Sequence, residues 1–117
     1  MRLLLNYWTF AGGPDLRFVS DDEKAAAIIK EVSDFFKVPI PIMKSACRKR
    51  EFVQARQIAM YFIREKTSLS QFRVGLGFGG RDHSTVIHAC QTVNDLIDSD
   101  KKYRQNVLDI RNKIAFI

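Results

Sequence analysis

The chain contains little that would commit it to metal, redox or membrane chemistry. Its two cysteines, Cys47 and Cys90, lie far apart and form no CxxC pair. Paired thiolate ligands for zinc are therefore missing, and the two read as ordinary buried thiols in a reducing cytoplasm. No uninterrupted apolar run approaches the ~20 residues a membrane span requires, which excludes a transmembrane helix. The N-terminal MRLLLNYWTFAGG has one arginine and a short apolar stretch. Asn6 interrupts that stretch and no small-residue cleavage site follows, so it is not read as a signal peptide. A GxxxxGK[ST] loop is also missing, so nothing cradles the phosphates of a nucleotide. Internal repeats and low-complexity segments are lacking too, and no cofactor or metal is expected.

What is present is the material of one domain. At 117 residues, with 46% apolar and 27% charged residues, the chain can bury a self-sufficient core and has no room for a second one. This composition excludes a disordered tail, a collagen-like repeat and a disulfide miniprotein. The net charge of +6 is unevenly distributed. Residues 44–81 hold nine basic and two acidic residues, a balance of +7, while the rest of the chain balances to −1. A localised basic field is the electrostatic footprint of a polyanion-binding face, and its bland alternative is a solvated surface.

Residues 1–20 lack helical periodicity, contain Gly12, Gly13 and Pro14, and read as an arm. From Asp21 the apolar residues Ala26, Ile29, Val32, Phe35 and Phe36 recur at helical spacing, which predicts a helix over 21–37. Val38-Pro39-Ile40-Pro41 stops it, because a residue before proline is pushed out of the helical region. A short helical turn is predicted around 42–46, followed by the basic Arg48-Lys49-Arg50. Val53, Ile58, Ala59, Phe62 and Ile63 predict a helix over 51–66, with Met60 and Tyr61 widening its stripe. Ser70 can cap a short helix over 71–76 that runs into Gly77-Phe78-Gly79-Gly80. A long helix starts at Asp82 with an inner face of Val86, Ile87, Ala89, Cys90, Val93, Leu96 and Ile97. Ser99 or Asp100 then caps a last helix carrying Tyr103, Val107, Ile110 and Ile114. No alternating pattern competes with these periods, so the expected fold is an all-α, multi-helix bundle, with domain 21–117 following the arm.

Within it, residues 70–98 have the layout of a helix-turn-helix, in which the first residues of the second helix read base edges in the major groove. Asp82, His83, Ser84 and Thr85 occupy that start. Asp can accept from a cytosine amino group, His can donate to a base acceptor, and Ser and Thr can bond to bases or phosphates. Free amides at the helix start suit a phosphate oxygen. The bland alternative is that the same residues merely cap the helix.

The string Gly79-Gly80-Arg81-Asp82-His83-Ser84-Thr85-Val86-Ile87-His88-Ala89 resembles the signature of the C-terminal DNA-binding domain of the bacterial replication initiator DnaA. Ala55-Arg56-Gln57-Ile58-Ala59-Met60-Tyr61 resembles the central helix of that domain, and Arg48, Lys49 and Arg50 stand where its basic loop would be. The resemblance runs from about residue 27 to 96. It implies double-stranded DNA as partner, read at an A·T-rich initiator box by a monomer. It further implies Arg48 in the minor groove, Arg50, Arg56, Gln57 and Arg64 on the DNA backbone, and Asp82, His83 and Ser84 on bases. Arg81 and Thr85 would flank these on phosphates. Three departures alter the pattern: Ser84 stands for the usual Thr, Ser70-Gln71-Phe72-Arg73-Val74-Gly75 for Ser-Leu-Pro-Glu-Ile-Gly, and Gln54-Ala55 for Arg-Pro. The family's ATPase module has no counterpart in 117 residues, so the chain is expected to be an excised domain or a small relative that is not an enzyme.

Other readings are weaker. Gly75-Leu76-Gly77-Phe78-Gly79-Gly80 fits GxGxxG, but that fingerprint works only between a strand and a helix. His83 and His88 fall on different helix faces and make no metal pair, and His88 reads as an inner-face histidine. Nothing orients Cys90 and His88 as a nucleophile and base. The serious competitor is a protein-interaction or transcription-regulatory module, with a protein partner taken through the aromatic 1–20 arm (Tyr7, Trp8, Phe10, Phe18).

Overall fold

A computed structural model describes residues 19–117; the arm's Tyr7, Trp8, Phe10 and Phe18 lie outside the described residues. Among those described, all regular structure is helical: α1 Asp21–Phe36, α2 Ile40–Met43, α3 Arg50–Lys66, α4 Gln71–Gly77, α5 His83–Ser99 and α6 Lys101–Lys113. The all-α expectation holds, with boundaries close to those read from periodicity.

The helix ends follow from local chemistry. Ser20 caps α1 by accepting from the Glu23 amide at 3.2 Å. Asp21, Asp22 and Glu23 then fill the first turn, where the helix dipole favours acids. Lys37 closes α1 in the left-handed conformation (φ 56°), so the chain reverses before Pro39. Helix α2 begins earlier than expected, because Pro41 sits in its first turn, where a missing N–H costs nothing. Ser70 and Asp100 cap α4 and α6 as anticipated.

Helix α3 is central. It packs most extensively against α1 and α5 and also touches α2 and α4. The core joins Ile28 and Val32 of α1, Ile58, Ala59 and Phe62 of α3, and Val86 and Val93 of α5. Tyr103, Val107 and Ile110 of α6 close it, with Ile114 just past the helix end. Each large apolar side chain buried here contributes about 1.5–3 kcal/mol. Three placements correct the sequence reading. The buried stripe of α5 is Val86, Ala89 and Val93, so His88 is exposed rather than inward. Ala26 is likewise exposed, because Ile28 takes the core position on α1. Cys47 is exposed, since it belongs to the loop between α2 and α3 and not to a helix face; only Cys90 is half-buried.

Candidate nucleic-acid interface

Two segments with very different local support meet at one end of the bundle. The first is the start of α5. Asp82 has extended backbone angles and its carboxylate accepts from the Ser84 amide at 3.2 Å, an ordinary N-cap. The Ser84 amide, and next the Ser84 hydroxyl, hold the Asp82 carboxyl below its usual range. The His83 Nδ1 lies 3.1 Å from the same carboxylate oxygen. Asp82, His83 and Ser84 are all exposed and Thr85 is half-buried. Capping and presentation are therefore combined: the carboxylate closes the helix while the imidazole and hydroxyl face outward.

The second segment is the basic loop, residues 44–49. Within it Ser45 donates to the Ile42 carbonyl at 2.6 Å and accepts from the Cys47 amide at 3.2 Å. Its outer shape, however, is imposed from below. Arg56, expected on the DNA backbone, is 4% exposed. Its Nε donates to the Met43 carbonyl at 2.7 Å, and its Nη2 to the carbonyls of Ser45 and Cys47, each at 2.9 Å. Arg81, expected on a phosphate, is half-buried and donates to the same Ser45 carbonyl at 2.7 Å. Burial first, and then the neighbouring Arg81 charge, lowers the Arg56 pKa; a guanidinium stays charged regardless. Two cations converge on one carbonyl, which leaves Arg48, Lys49 and Arg50 outside and exposed.

The turn between α4 and α5 is shaped to receive this loop. Gly79 and Gly80 have φ of 82° and 74°, a region that disfavours side chains. A Cβ on Gly79 would also sit 2.6 Å from the Lys44 carbonyl oxygen. On the other side of the turn, the Arg81 amide donates to the Gly75 carbonyl at 2.8 Å, and a Cβ on Gly75 would lie 2.1 Å from the Arg81 carbonyl oxygen. The glycine run thus serves close backbone contact within a helical turn, and no strand precedes it.

The remaining expected contacts are spread over α3. Arg50 and Gln57 line a polar cleft with Gln54 and with Lys102 and Asn106 of α6. Arg64 lies near the opposite end of α3 and donates to the Leu69 carbonyl, at the connection to α4. The structure therefore sets the Lys44–Ser45 end of the basic loop against Arg81 and the glycine turn that lead into α5, leaves Arg48 and Lys49 exposed on that loop, and sets Arg50 and Gln57 beside a cleft and Arg64 at the connection to α4. The inward roles of Arg56 and Arg81 are not legible in the sequence, because an arginine in Ala55-Arg56-Gln57 or Gly80-Arg81-Asp82 looks the same whether it faces DNA or a neighbouring loop.

Residues 25–93 match the bacterial DnaA protein helix-turn-helix family. The chain belongs to that family. The chromosomal replication initiator protein DnaA of Flavobacterium psychrophilum is 44% identical over 88 residues, which is 75% of this chain and 18% of that protein. The DnaA of Nostoc punctiforme is 43% identical over 88 residues, 75% of this chain and 19% of that protein. That of Chloroflexus aurantiacus is 37% identical over 93 residues, 80% of this chain and 19% of that protein. The chain spans about a fifth of the length of these relatives. The family match takes in the basic loop, the glycine turn and the α5 start, and the domain is a DNA-binding helix-turn-helix module. Among the described residues no helix is long and apolar enough to cross a membrane.

Proposed function

We propose that this domain reads a specific double-stranded DNA sequence, an A·T-rich initiator box of the kind found at replication origins, as a binding module without catalysis. The observation that carries this reading is the Arg81–Ser45 bond at 2.7 Å. It ties the basic loop to the residue before the recognition-helix cap, so that two reading elements are presented as one rigid body. His83 and Ser84 then address base edges in the major groove, with Asp82 as cap and as acceptor for a cytosine amino group. Arg48, exposed on the loop, enters the adjacent minor groove, whose narrowing in A·T-rich DNA attracts a cation. Lys49, Arg50, Gln57, Arg64 and Thr85 contact phosphates and sugars and set the register. Arg56 and Arg81 act from beneath, by fixing the loop.

The test is an electrophoretic mobility assay with an initiator-box duplex and a scrambled duplex over a range of salt concentrations. The box is expected to bind more tightly. With three cationic phosphate contacts, from Lys49, Arg50 and Arg64, log K should fall with log salt at a slope of about −3, at −0.9 per contact. Equal binding of both duplexes would refute sequence reading. A slope near zero would make the basic segment merely a solvated face.

A further inference from the structure

Helix α6 opens on two cations that its own stability does not call for. Lys101 and Lys102 stand in its first turn, which holds no acidic residue. The positive end of a helix dipole favours acids there and disfavours cations. Lys102 is exposed and has no ion-pair partner among the described residues. It lines the polar cleft of about 430 Å³ that lies between α6 and the first half of α3.

That cleft has the chemistry of an anion subsite. Helix α3 contributes Arg50, Gln54 and Gln57 to it, and α6 contributes Lys102 and Asn106. Arg50 is likewise exposed and without an ion-pair partner among the described residues. The carboxylate that lines the cleft, Asp100, is committed to the backbone: it caps α6 by accepting from the Tyr103 amide at 3.0 Å. Two like charges from two helices thus share one concavity, and an anion between them relieves their mutual repulsion. The carboxamides beside them carry N–H donors for the other oxygens of such an anion. The class of anion follows from the chain's own continuity. Arg50 directly follows the exposed Arg48-Lys49 of the basic loop, so the cleft prolongs the cationic surface that the DNA reading uses.

We propose, resting on the DNA reading above, that Lys102 and Asn106 bind a backbone phosphate of the same duplex that Arg50 and Gln57 contact, so that α6 is a third element of the interface. A fourth cationic contact takes the expected salt slope from about −2.7 to about −3.6. Lys102→Gln should therefore weaken box and scrambled duplexes alike, by roughly five- to ten-fold near 0.1 M salt, and return the slope to about −2.7. Lys102→Arg, which keeps the charge, should retain both affinity and slope. Lys113→Gln removes a cation in the last turn of α6, outside the cleft. It should change affinity by less than about two-fold, because a charge away from the contact is screened. Helicity and the urea midpoint should hold in all three variants, since both lysines are exposed. Unchanged binding by Lys102→Gln would overturn the proposal. Equal losses from Lys102→Gln and Lys113→Gln would overturn it too, by reducing Lys102 to a share of the net charge. Inorganic phosphate, matched in ionic strength to chloride, should compete no better than chloride does. A phosphate-specific loss that Lys102→Gln abolishes would give the cleft to a free anion and overturn the proposal as well. Failure of sequence reading is a separate result: the unsubstituted domain would then bind box and scrambled duplexes equally, while the Lys102→Gln loss and slope change would still support the α6 contact. Absence of binding to either duplex at low salt would overturn both.

Discussion

The basic loop and the start of α5 are joined through Arg81 but are built by opposite means. The α5 start is local: Asp82 caps its own helix through the amide two residues on, and His83 and Ser84 are displayed by the helix they open. The loop is remote-controlled. Its carbonyls are satisfied by Arg56, up to 11 residues later in sequence, and by Arg81, 36 residues away from Ser45. A capped helix start tolerates loss of a neighbour, whereas a loop hung on two guanidinium groups does not. Loss of a loop anchor should therefore cost stability and sequence reading together, whereas a change at the α5 start should cost sequence reading alone.

The sharpest way to break this contrast is Arg56→Met. It keeps most of the apolar stem but removes three hydrogen bonds from charged nitrogen atoms, leaving the Met43 carbonyl at the end of α2 and the loop carbonyls of Ser45 and Cys47 without that partner. We expect a loss of about 2–4 kcal/mol in urea denaturation, together with weaker binding and less preference for A·T pairs. A change within about 0.5 kcal/mol would show that the loop holds its own shape. Next in size is His83→Ala. Its side chain is exposed, so the fold should survive, while box affinity falls by about 1–3 kcal/mol and random-DNA affinity barely moves. An equal loss on both duplexes, titrated side by side, would remove His83 from the base-reading set.

Arg48→Ala and Arg64→Ala sharpen the comparison further. Removing Arg48 should reduce discrimination at A·T pairs as well as affinity. Removing Arg64, which holds the Leu69 carbonyl, should weaken all duplexes alike, with a salt slope shallower by about one unit. Matched competition assays on box and random DNA separate the two outcomes. The smallest effect belongs to Asp82→Asn, since Asn caps about as well as Asp. At neutral pH the stability should be nearly unchanged and nonspecific affinity should rise, because a negative charge has left the DNA-facing surface. Under acid the variant should differ. The Asp82 carboxyl is depressed by the Ser84 amide, and Asp21 is depressed by the Ser68 hydroxyl. A depressed folded pKa contributes stability that is present above the unfolded carboxylate value of about 4 and lost as pH falls through the folded value. Asp82→Asn should therefore flatten the fall of the urea midpoint below pH 4, and an unchanged fall would show that this cap carries no acid sensitivity.

Much of this architecture was legible in the residues because helices are local objects. The 3.6-residue period exposes α1, α3, α5 and α6, and Ser70 and Asp82 carry the hydrogen-bond acceptors that start α4 and α5. The candidate site was legible in part for the same reason: His83 and Ser84 follow a cap, and a residue next to a cap is held in place by its own neighbours. Where the reading went astray, a side chain's direction depended on a distant segment. Periodicity could not tell that His88 lies off the narrow Val86–Ala89–Val93 stripe, since Ile87 and Cys90 made the apolar face look wider than the part that is buried.

Sequence by itself determined the helical class, the helix starts, the basic excess over residues 44–81 and the chemistry of the α5 start, all set within a few residues of each other. Tertiary structure alone decided which arginines remain available to an anion. A buried guanidinium is tolerable only where acceptors surround it, and those acceptors are backbone carbonyls of a loop that arrives beside Arg56 and Arg81 once α2, α3 and the glycine turn have packed. Backbone carbonyls belong to every residue alike, so no pattern of side chains could announce them.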